Sequence, residues 1–126
     1  MKKLYSNKEI IVITQSLIDN FLKDSDLKLP SMINFAIQSN LKAFTNLSEV
    51  IEETKKALAR QNGHYIPEQN AYQIDPDKID YVQAELDKLF SLEQSVNVKM
   101  INLSDIKDIP LTSQQMNTLL FMIEEN

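Results

Sequence analysis

The stretch SMINFAIQSNLKAFTNLSEVIEETKKALARQNG, residues 31–63, decides the fold. Its apolar side chains recur every seven residues, and neighbouring apolar positions widen the stripe: Ile37, Phe44, Ile51 and Leu58, then Ile33, Leu41, Leu47 and Val50. This spacing is typical of one face of an α-helix. Pro30 suits the start of a helix, and Gly63, the only glycine, favours the left-handed backbone that ends many helices. The sequence therefore predicts a helix over residues 31–62, about 48 Å long at 1.5 Å per residue.

Residues 45–48 are the weakest part of this predicted helix, because their polar side chains compete with the backbone for hydrogen bonds. A kink or break there stays open as an alternative. Upstream, Ser6 and Glu9 form a capping box, and apolar residues follow at helical spacing: Ile10, Ile13, Leu17 and Phe21. We expect a helix over about 7–23, a short strand within 1–5, and a polar link over 24–29.

Downstream of Gly63 the pattern changes repeatedly. Residues 64–74 read as a loop or a ragged hairpin that turns at 68–70. Asp75-Pro76 then reads as a helix cap followed by a first-turn proline, and Ile79, Val82, Leu86 and Leu89 extend the helix over about 76–93. Alternating Val96, Val98 and Met100 predict a strand within 95–103, followed by a turn at 105–110. A second capping box, Thr112 with Gln115, starts a closing helix over about 113–124.

These elements predict a mainly α fold in a single helical domain, residues 1–126. Helices 31–62 and 76–93 each carry an apolar stripe that must be buried, so we expect them to pack as a long antiparallel helical hairpin. The N- and C-terminal helices flank it, with one or two short β-strands. The second helix is too short to cover the whole first stripe. We therefore expect a homo-oligomer or a protein partner, with a monomer containing a bent long helix as the alternative.

The composition narrows the class of function. The chain has 126 residues, a formal net charge of −5 and one arginine, so a direct nucleic-acid binder is disfavoured. The absence of cysteine excludes disulfides and thiolate metal sites. No segment matches a secretory signal or the roughly 20 apolar residues of a membrane span. We expect a protein that stays in the cytoplasm where it is made and makes no membrane contact.

No catalytic, cofactor or metal site is predicted, and the chain is not expected to be an enzyme. A single glycine rules out the glycine-rich loops that bind phosphates. His64, the only histidine, lies beside that glycine and is interpreted as a solvent-facing residue of a turn. The cluster of Asp75, Asp77 and Asp80 lacks the glycine and glutamate positions of a calcium loop, so it is assigned to the start of a helix.

The candidate partner-binding residues lie around the central loop. Tyr65, Ile66 and Tyr72 bracket that loop, and tyrosine is favoured at interaction hot spots. Lys56 and Arg60 lie at the end of the long predicted helix just before it. In the alternative interpretation, the tyrosines only hold the loop against the helices.

The order of these features resembles a family of small uncharacterised proteins from tailed phages and prophages of low-GC Gram-positive bacteria. The resemblance runs along nearly the whole chain, in positions that define a fold and not a catalytic site. It is carried by Asn7-Lys8-Glu9, by the Leu-Pro entry into the long helix at 27–42, by the central loop with 63–66 and 72–74, by the helix-to-strand step at 85–98, and by the closing helix at 111–123.

Together these observations predict a phage or prophage accessory protein that acts by stoichiometric protein binding. Within that class we favour inhibition of a host protein or an anti-phage defence protein, because a slim helical protein can lay a helix into a groove. A structural or assembly role in the phage head or tail is one alternative. An oligomer that sequesters a small molecule is another.

Overall fold

A computed structural model describes residues 1–23 and 27–124, so part of the predicted polar link at 24–29 lies outside the described residues. The fold is mainly helical, as predicted, with short strands. The main elements, in chain order, are β1 (Lys2–Ser6), α1 (Asn7–Leu17), α2 (Ser31–Gln61), β2 (Gly63–Ile66), β3 (Ala71–Ile74), α3 (Ile79–Ser91), β4 (Glu93–Asn97), β5 (Ile101–Asn102), α4 (Ser113–Leu119) and β6 (Ile123–Glu124). The described residues thus contain six short strands, more than the one or two expected.

The long predicted helix is confirmed. Helix α2 runs from Ser31 to Gln61 without a break, so the polar residues at 45–48 do not interrupt it. The seven-residue stripe faces the core: Ile37, Phe44 and Ile51 are buried, and Leu58 near the end of the helix is half-buried. Burial of this stripe, more than intrinsic helix propensity, stabilises the weak central segment.

Phe44 joins three parts of the chain at the centre of α2. Its fully buried ring lies between Tyr5 of β1 and Phe121 from the turn after α4. The ring centroids are 5.5 Å from Tyr5 and 5.4 Å from Phe121, and both pairs meet edge to face. Such pairs contribute about 0.5–1.5 kcal/mol each beyond the area they bury. The two ends of the chain are therefore packed against the middle of the long helix.

The first strand pairs with a distant one. Strand β1 runs antiparallel to β4, with Lys2 opposite Asn97 and Ser6 opposite Glu93. The predicted strand at 95–103 starts two residues earlier and is split in two. The split occurs because the backbone of Lys99 bonds to the buried side chain of Asn40 in α2: the Asn40 Nδ2 donates to its carbonyl at 2.9 Å, and its amide donates to Asn40 Oδ1 at 2.8 Å.

Helix α1 begins as predicted. The Ser6 hydroxyl accepts from the Glu9 amide at 3.1 Å, and the Glu9 carboxylate accepts from the Ser6 amide at 2.9 Å. The helix continues as a π-helical turn, Ile18–Leu22, which places Phe21 in the core. Buried Asn7 fixes the other end, since its Nδ2 donates to the Leu89 carbonyl at 2.8 Å and attaches α1 to the end of α3.

The closing helix is shorter than predicted. Its capping box of Thr112 and Gln115 forms, but α4 ends at Leu119, followed by a 3-10 turn. The Phe121 carbonyl accepts from Lys3 Nζ at 2.7 Å instead of from a helical amide. Ile123 then pairs with Ile101, so the chain finishes as the short parallel strand β6 beside β5. Interactions with the core and β5 end the helix before residue 124.

The long antiparallel hairpin of two helices is not shown. Helix α1 is the main neighbour of α2, and α3 contacts it only locally. The apolar stripe of α3 is correspondingly incompletely buried: Val82 is buried, Leu86 and Leu89 are half-buried, and Ile79 is 53% exposed. The predicted helix at 76–93 also starts with a 3-10 turn, Pro76–Lys78, and becomes α-helical at Ile79.

Replacing two phenylalanines of α2, one at a time, tests which face of the helix contributes to the stability of the fold. Replacing buried Phe44 with Ala removes both edge-to-face contacts and leaves a cavity, and we expect a loss of about 3–5 kcal/mol in the free energy of unfolding. Phe35, which is 58% exposed, provides the matched control, and its replacement with Ala is expected to cost about 0.5 kcal/mol or less. Urea denaturation followed by circular dichroism measures both, and equal losses would contradict this packing.

Candidate functional site

The central loop is an ordered β-hairpin, as one of the two interpretations of 64–74 expected. Strands β2 and β3 pair antiparallel, with Gly63 opposite Ile74 and Ile66 opposite Ala71. The connection is a 3-10 turn, Pro67–Gln69, that ends at Asn70. Asn70 has a φ of 48°, the left-handed conformation that asparagine tolerates better than most residues. This turn sets the register that places the two tyrosines opposite each other.

Tyr65 and Tyr72 form a cross-strand pair on the hairpin. Their ring centroids lie 5.4 Å apart with the ring planes inclined by 62°. The Tyr65 hydroxyl donates to Asn70 Oδ1 at 2.6 Å, which fixes this ring against the turn. The two residues nevertheless remain 47% and 42% exposed. The pair is therefore held in place by contacts within the hairpin and still presents apolar ring surface to solvent.

Gly63 attaches the hairpin to the end of α2. Its φ is not positive, so the left-handed helix end predicted for it is wrong. Its role is close approach: a Cβ built on Gly63 would lie 2.3 Å from the Gln73 carbonyl oxygen and 3.0 Å from the Ala59 carbonyl oxygen. Any larger side chain would push β3 or the last turn of α2 away. The lone glycine thus keeps the hairpin close to the helix end.

His64 and Asp75 pair at the base of the hairpin. His64 lies in β2 and not in a turn, but it is solvent-exposed, as expected. Its Nδ1 is 3.1 Å from Asp75 Oδ1. Asp75 is the N-cap residue of the 3-10 turn Pro76–Lys78, with Pro76 in its first turn, as predicted, but its side chain makes no capping hydrogen bond. The carboxylate instead contacts the imidazole, and the Asp75 amide donates to the Asn62 carbonyl at 2.9 Å, which closes the hairpin.

The hairpin and the last turns of α2 form a shallow groove with a volume of about 380 Å³. We call it the hairpin groove. Lys56 and Arg60 line the helical wall, and the tyrosine pair lines the opposite wall. The full lining is Lys56, Ala59, Arg60, Tyr65, Asn70, Ala71 and Tyr72. The structure thus brings together four of the five residues proposed from the sequence, although they are separated by up to sixteen positions.

Ile66 is the exception. It is half-buried at the end of β2 and does not line the hairpin groove. Sequence reasoning also missed Ala59, Asn70 and Ala71. Asn70 had a usable signal, because an asparagine at the end of a polar turn favours a positive φ. The alanines had none, since Ala59 lies in α2 and Ala71 in β3, and only the packing of the hairpin against the helix brings them into one groove.

The charges of the groove wall differ from those of the whole chain. Lys56 lies 3.6 Å from Glu53, an exposed pair one turn apart that contributes little. Arg60 forms no ion pair or side-chain hydrogen bond within residues 1–23 and 27–124. Within the described part of the chain, no acidic residue lines the groove. The wall is therefore locally cationic in a chain whose formal net charge is −5.

A second groove, of about 620 Å³, lies between α1, α2 and α3. Ile11, Val12 and Phe90 give it an apolar lining. Its charged residues are of both signs, Lys8 and Lys55 with Glu52 and Asp87, so no single ligand charge is favoured.

Other types of site find no support in the described part of the chain. Among residues 1–23 and 27–124, no group of three His, Cys, Asp or Glu side chains is placed to hold a metal ion. No helix among these residues combines the length and the apolar character needed to cross a membrane. Comparison of the chain with family models, curated proteins and solved structures finds no match.

Gly63→Ala tests how the hairpin is attached. The added Cβ collides with backbone atoms, which cannot rotate away, so we expect β3 to shift and stability to fall by about 1–3 kcal/mol. The NMR signals of the Tyr65 and Tyr72 rings should move with it, while those of the Phe44 ring stay in place. A variant with unchanged stability and unchanged tyrosine signals would contradict the close approach at this position.

Proposed function

We propose that this protein acts by stoichiometric binding of a protein partner through the hairpin groove and its tyrosine pair. Following the resemblance to small phage and prophage proteins, we propose an accessory protein that occupies a surface of a host or defence protein and thereby inhibits it. The observation that carries the binding proposal is the exposed, prearranged Tyr65–Tyr72 pair beside two cationic side chains.

The fold does not use this pair for its core. Buried Phe44, Ile10, Leu17 and Leu119 belong to one apolar cluster, and neither tyrosine of the hairpin is part of it. Exposed aromatic area has no stabilising role in a folded monomer until something covers it. Tyrosine buries a large area on binding and loses few rotamers, which is why it is enriched at interaction hot spots.

The fixed orientation of the two tyrosine rings also supports the binding proposal. The edge-to-face contact and the 2.6 Å hydrogen bond from Tyr65 to Asn70 restrict the rings before any partner arrives. A partner then loses less of its binding free energy to ordering these side chains. The close approach at Gly63 holds the hairpin against α2, so the tyrosines and the cations of the helix form one surface.

The test is affinity capture from a bacterial host lysate, identification by mass spectrometry, and titration of the purified captured protein against this chain. Tyr65→Ala together with Tyr72→Ala is expected to weaken binding by about 2–4 kcal/mol, roughly 30-fold or more, the range of hot-spot residues. Isothermal titration calorimetry gives both the affinity and the stoichiometry.

Tyr81 provides the matched control. It is a tyrosine of α3 with 54% exposure, outside the hairpin groove. Tyr81→Ala should leave the affinity within about twofold. A double tyrosine variant that melts like the wild type and binds equally well would overturn the proposal, as would a loss of the same size in the Tyr81 variant.

A further inference from the structure

We infer that the segment bound in the hairpin groove is an acidic peptide, with a carboxylate at Arg60 and Lys56 and a neighbouring apolar side chain against the tyrosine pair. The inference rests on the proposed function and adds to it the chemistry of the partner. It concerns a short stretch of chain, because a groove of about 380 Å³ holds only a few side chains.

The first argument is that the positive charges of Lys56 and Arg60 are poorly compensated by nearby carboxylates. Lys56 and Arg60 are four residues apart on α2, so they are neighbours on one helix face. Like charges at this spacing destabilise a helix slightly. Arg60 has no carboxylate partner within the described residues, and the exposed Glu53 offers Lys56 only weak compensation. A bound anion relieves this repulsion, whereas a cationic segment adds to it.

The second argument is the geometry of the donors. An arginine guanidinium presents a planar fork of N–H groups that binds a carboxylate through two parallel hydrogen bonds. Lys56 lies one helical turn back, about 6 Å along the axis, and can contact the same or the next acidic residue. The two cations therefore form one helical edge of the groove that matches an extended acidic peptide.

The third argument is the opposite wall. The Tyr65 hydroxyl is already bonded to Asn70, so what this residue offers a ligand is mainly the surface of its ring. With Tyr72 and Ala71 it forms an apolar strip facing the cations. An apolar side chain of the peptide, next to its acidic residue, would pack against this strip and bury it. The site thus favours a mixed acidic and apolar sequence over a uniformly acidic one.

A nucleic acid fits less well. Its backbone needs a continuous basic stripe, and here Glu49 and Glu53 precede the two cations on α2, while Glu68 lies in the hairpin turn. Phosphates following the groove in either direction would approach these carboxylates. Binding of an oligonucleotide is therefore an outcome that the experiment must be able to detect.

The experiment titrates the full chain with two blocked tripeptides, acetyl-Glu-Phe-Glu-amide and acetyl-Lys-Phe-Lys-amide, and follows it by NMR. The acidic peptide is expected to shift the Arg60 Nε–H signal and the Tyr65 and Tyr72 ring signals saturably, with a Kd on the order of millimolar for so short a ligand. The basic peptide should leave these signals in place. Equal shifts with both peptides, or none with the acidic one, would overturn the inference.

Matched charge reversals locate the binding. Lys56→Glu with Arg60→Glu should weaken the acidic peptide at least tenfold. The control, Lys42→Glu with Lys55→Glu, alters the net charge of the chain equally on the same helix but outside the hairpin groove, and should change the Kd by no more than about twofold. Equal weakening of the acidic peptide by both double variants would show a general charge effect and overturn the inference. The inference would also be overturned if a single-stranded oligonucleotide bound the wild-type chain more tightly than the acidic peptide and the variant with Lys56→Glu and Arg60→Glu lost that binding.

The two proposals fail separately. If replacing Tyr65 and Tyr72 with Ala removes the captured partner but the acidic tripeptide shifts no groove signal, the proposed function stands and its acidic ligand is wrong. If the tripeptide binds at the groove but these replacements leave partner affinity unchanged, the groove is not the partner site. Circular dichroism melting of every variant separates either outcome from loss of the fold.

Discussion

The packing of Phe44 between Tyr5 and Phe121 is the contact on which the rest of the structure depends. Helix α2 is far longer than the neighbours that cover it, so its position is fixed where both ends of the chain meet it. Strand β1 brings β4 to the helix, and the turn after α4 brings β6 to β5. Asn40, one helical turn before Phe44, adds two hydrogen bonds to the backbone of Lys99 in the same region.

This arrangement separates the part of α2 that forms the core from the part that carries the candidate site. Buried residues concentrate between Ile33 and Ile51, whereas the final turns of the helix bear half-buried or exposed side chains. The hairpin is attached to those final turns and is stabilised mainly by its own contacts. Substitutions in the tyrosine pair are therefore expected to have little effect on the core, which suits the partner-binding role proposed for this surface.

Much of the fold follows from local sequence signals. The heptad spacing of α2 and the capping boxes at Ser6 and Thr112 predict helices that the structure confirms, because these signals act over one or two turns. The failures arise where a distant residue decides. The side chain of Asn40 bonds to Lys99 and splits the strand at 95–103. The Lys3 ammonium donates to the Phe121 carbonyl just past the point where α4 ends early. Helix α1 covers much of the surface of α2 that the predicted helical hairpin assigned to α3.

The candidate site shows the same division. The exposed tyrosines and the cations of the helix end were identifiable from sequence, since aromatic residues in a polar loop and charges near a helix end stand out. Their assembly into one groove was not, because it depends on strand register and on the close approach of the Gln73 carbonyl to Gly63. Ile66, one residue from Tyr65, was proposed with it but is half-buried and lies outside the groove.

Amide hydrogen exchange along the chain tests this account most directly. If the Phe44 contacts anchor the fold and the hairpin is a surface attached to it, the amides of residues 36–51 exchange most slowly, by global unfolding only. Those of 64–73 then exchange much faster, by local opening of the hairpin. Hairpin amides as slow as those around Phe44, or rapid exchange at 45–48 in the middle of α2, would contradict it.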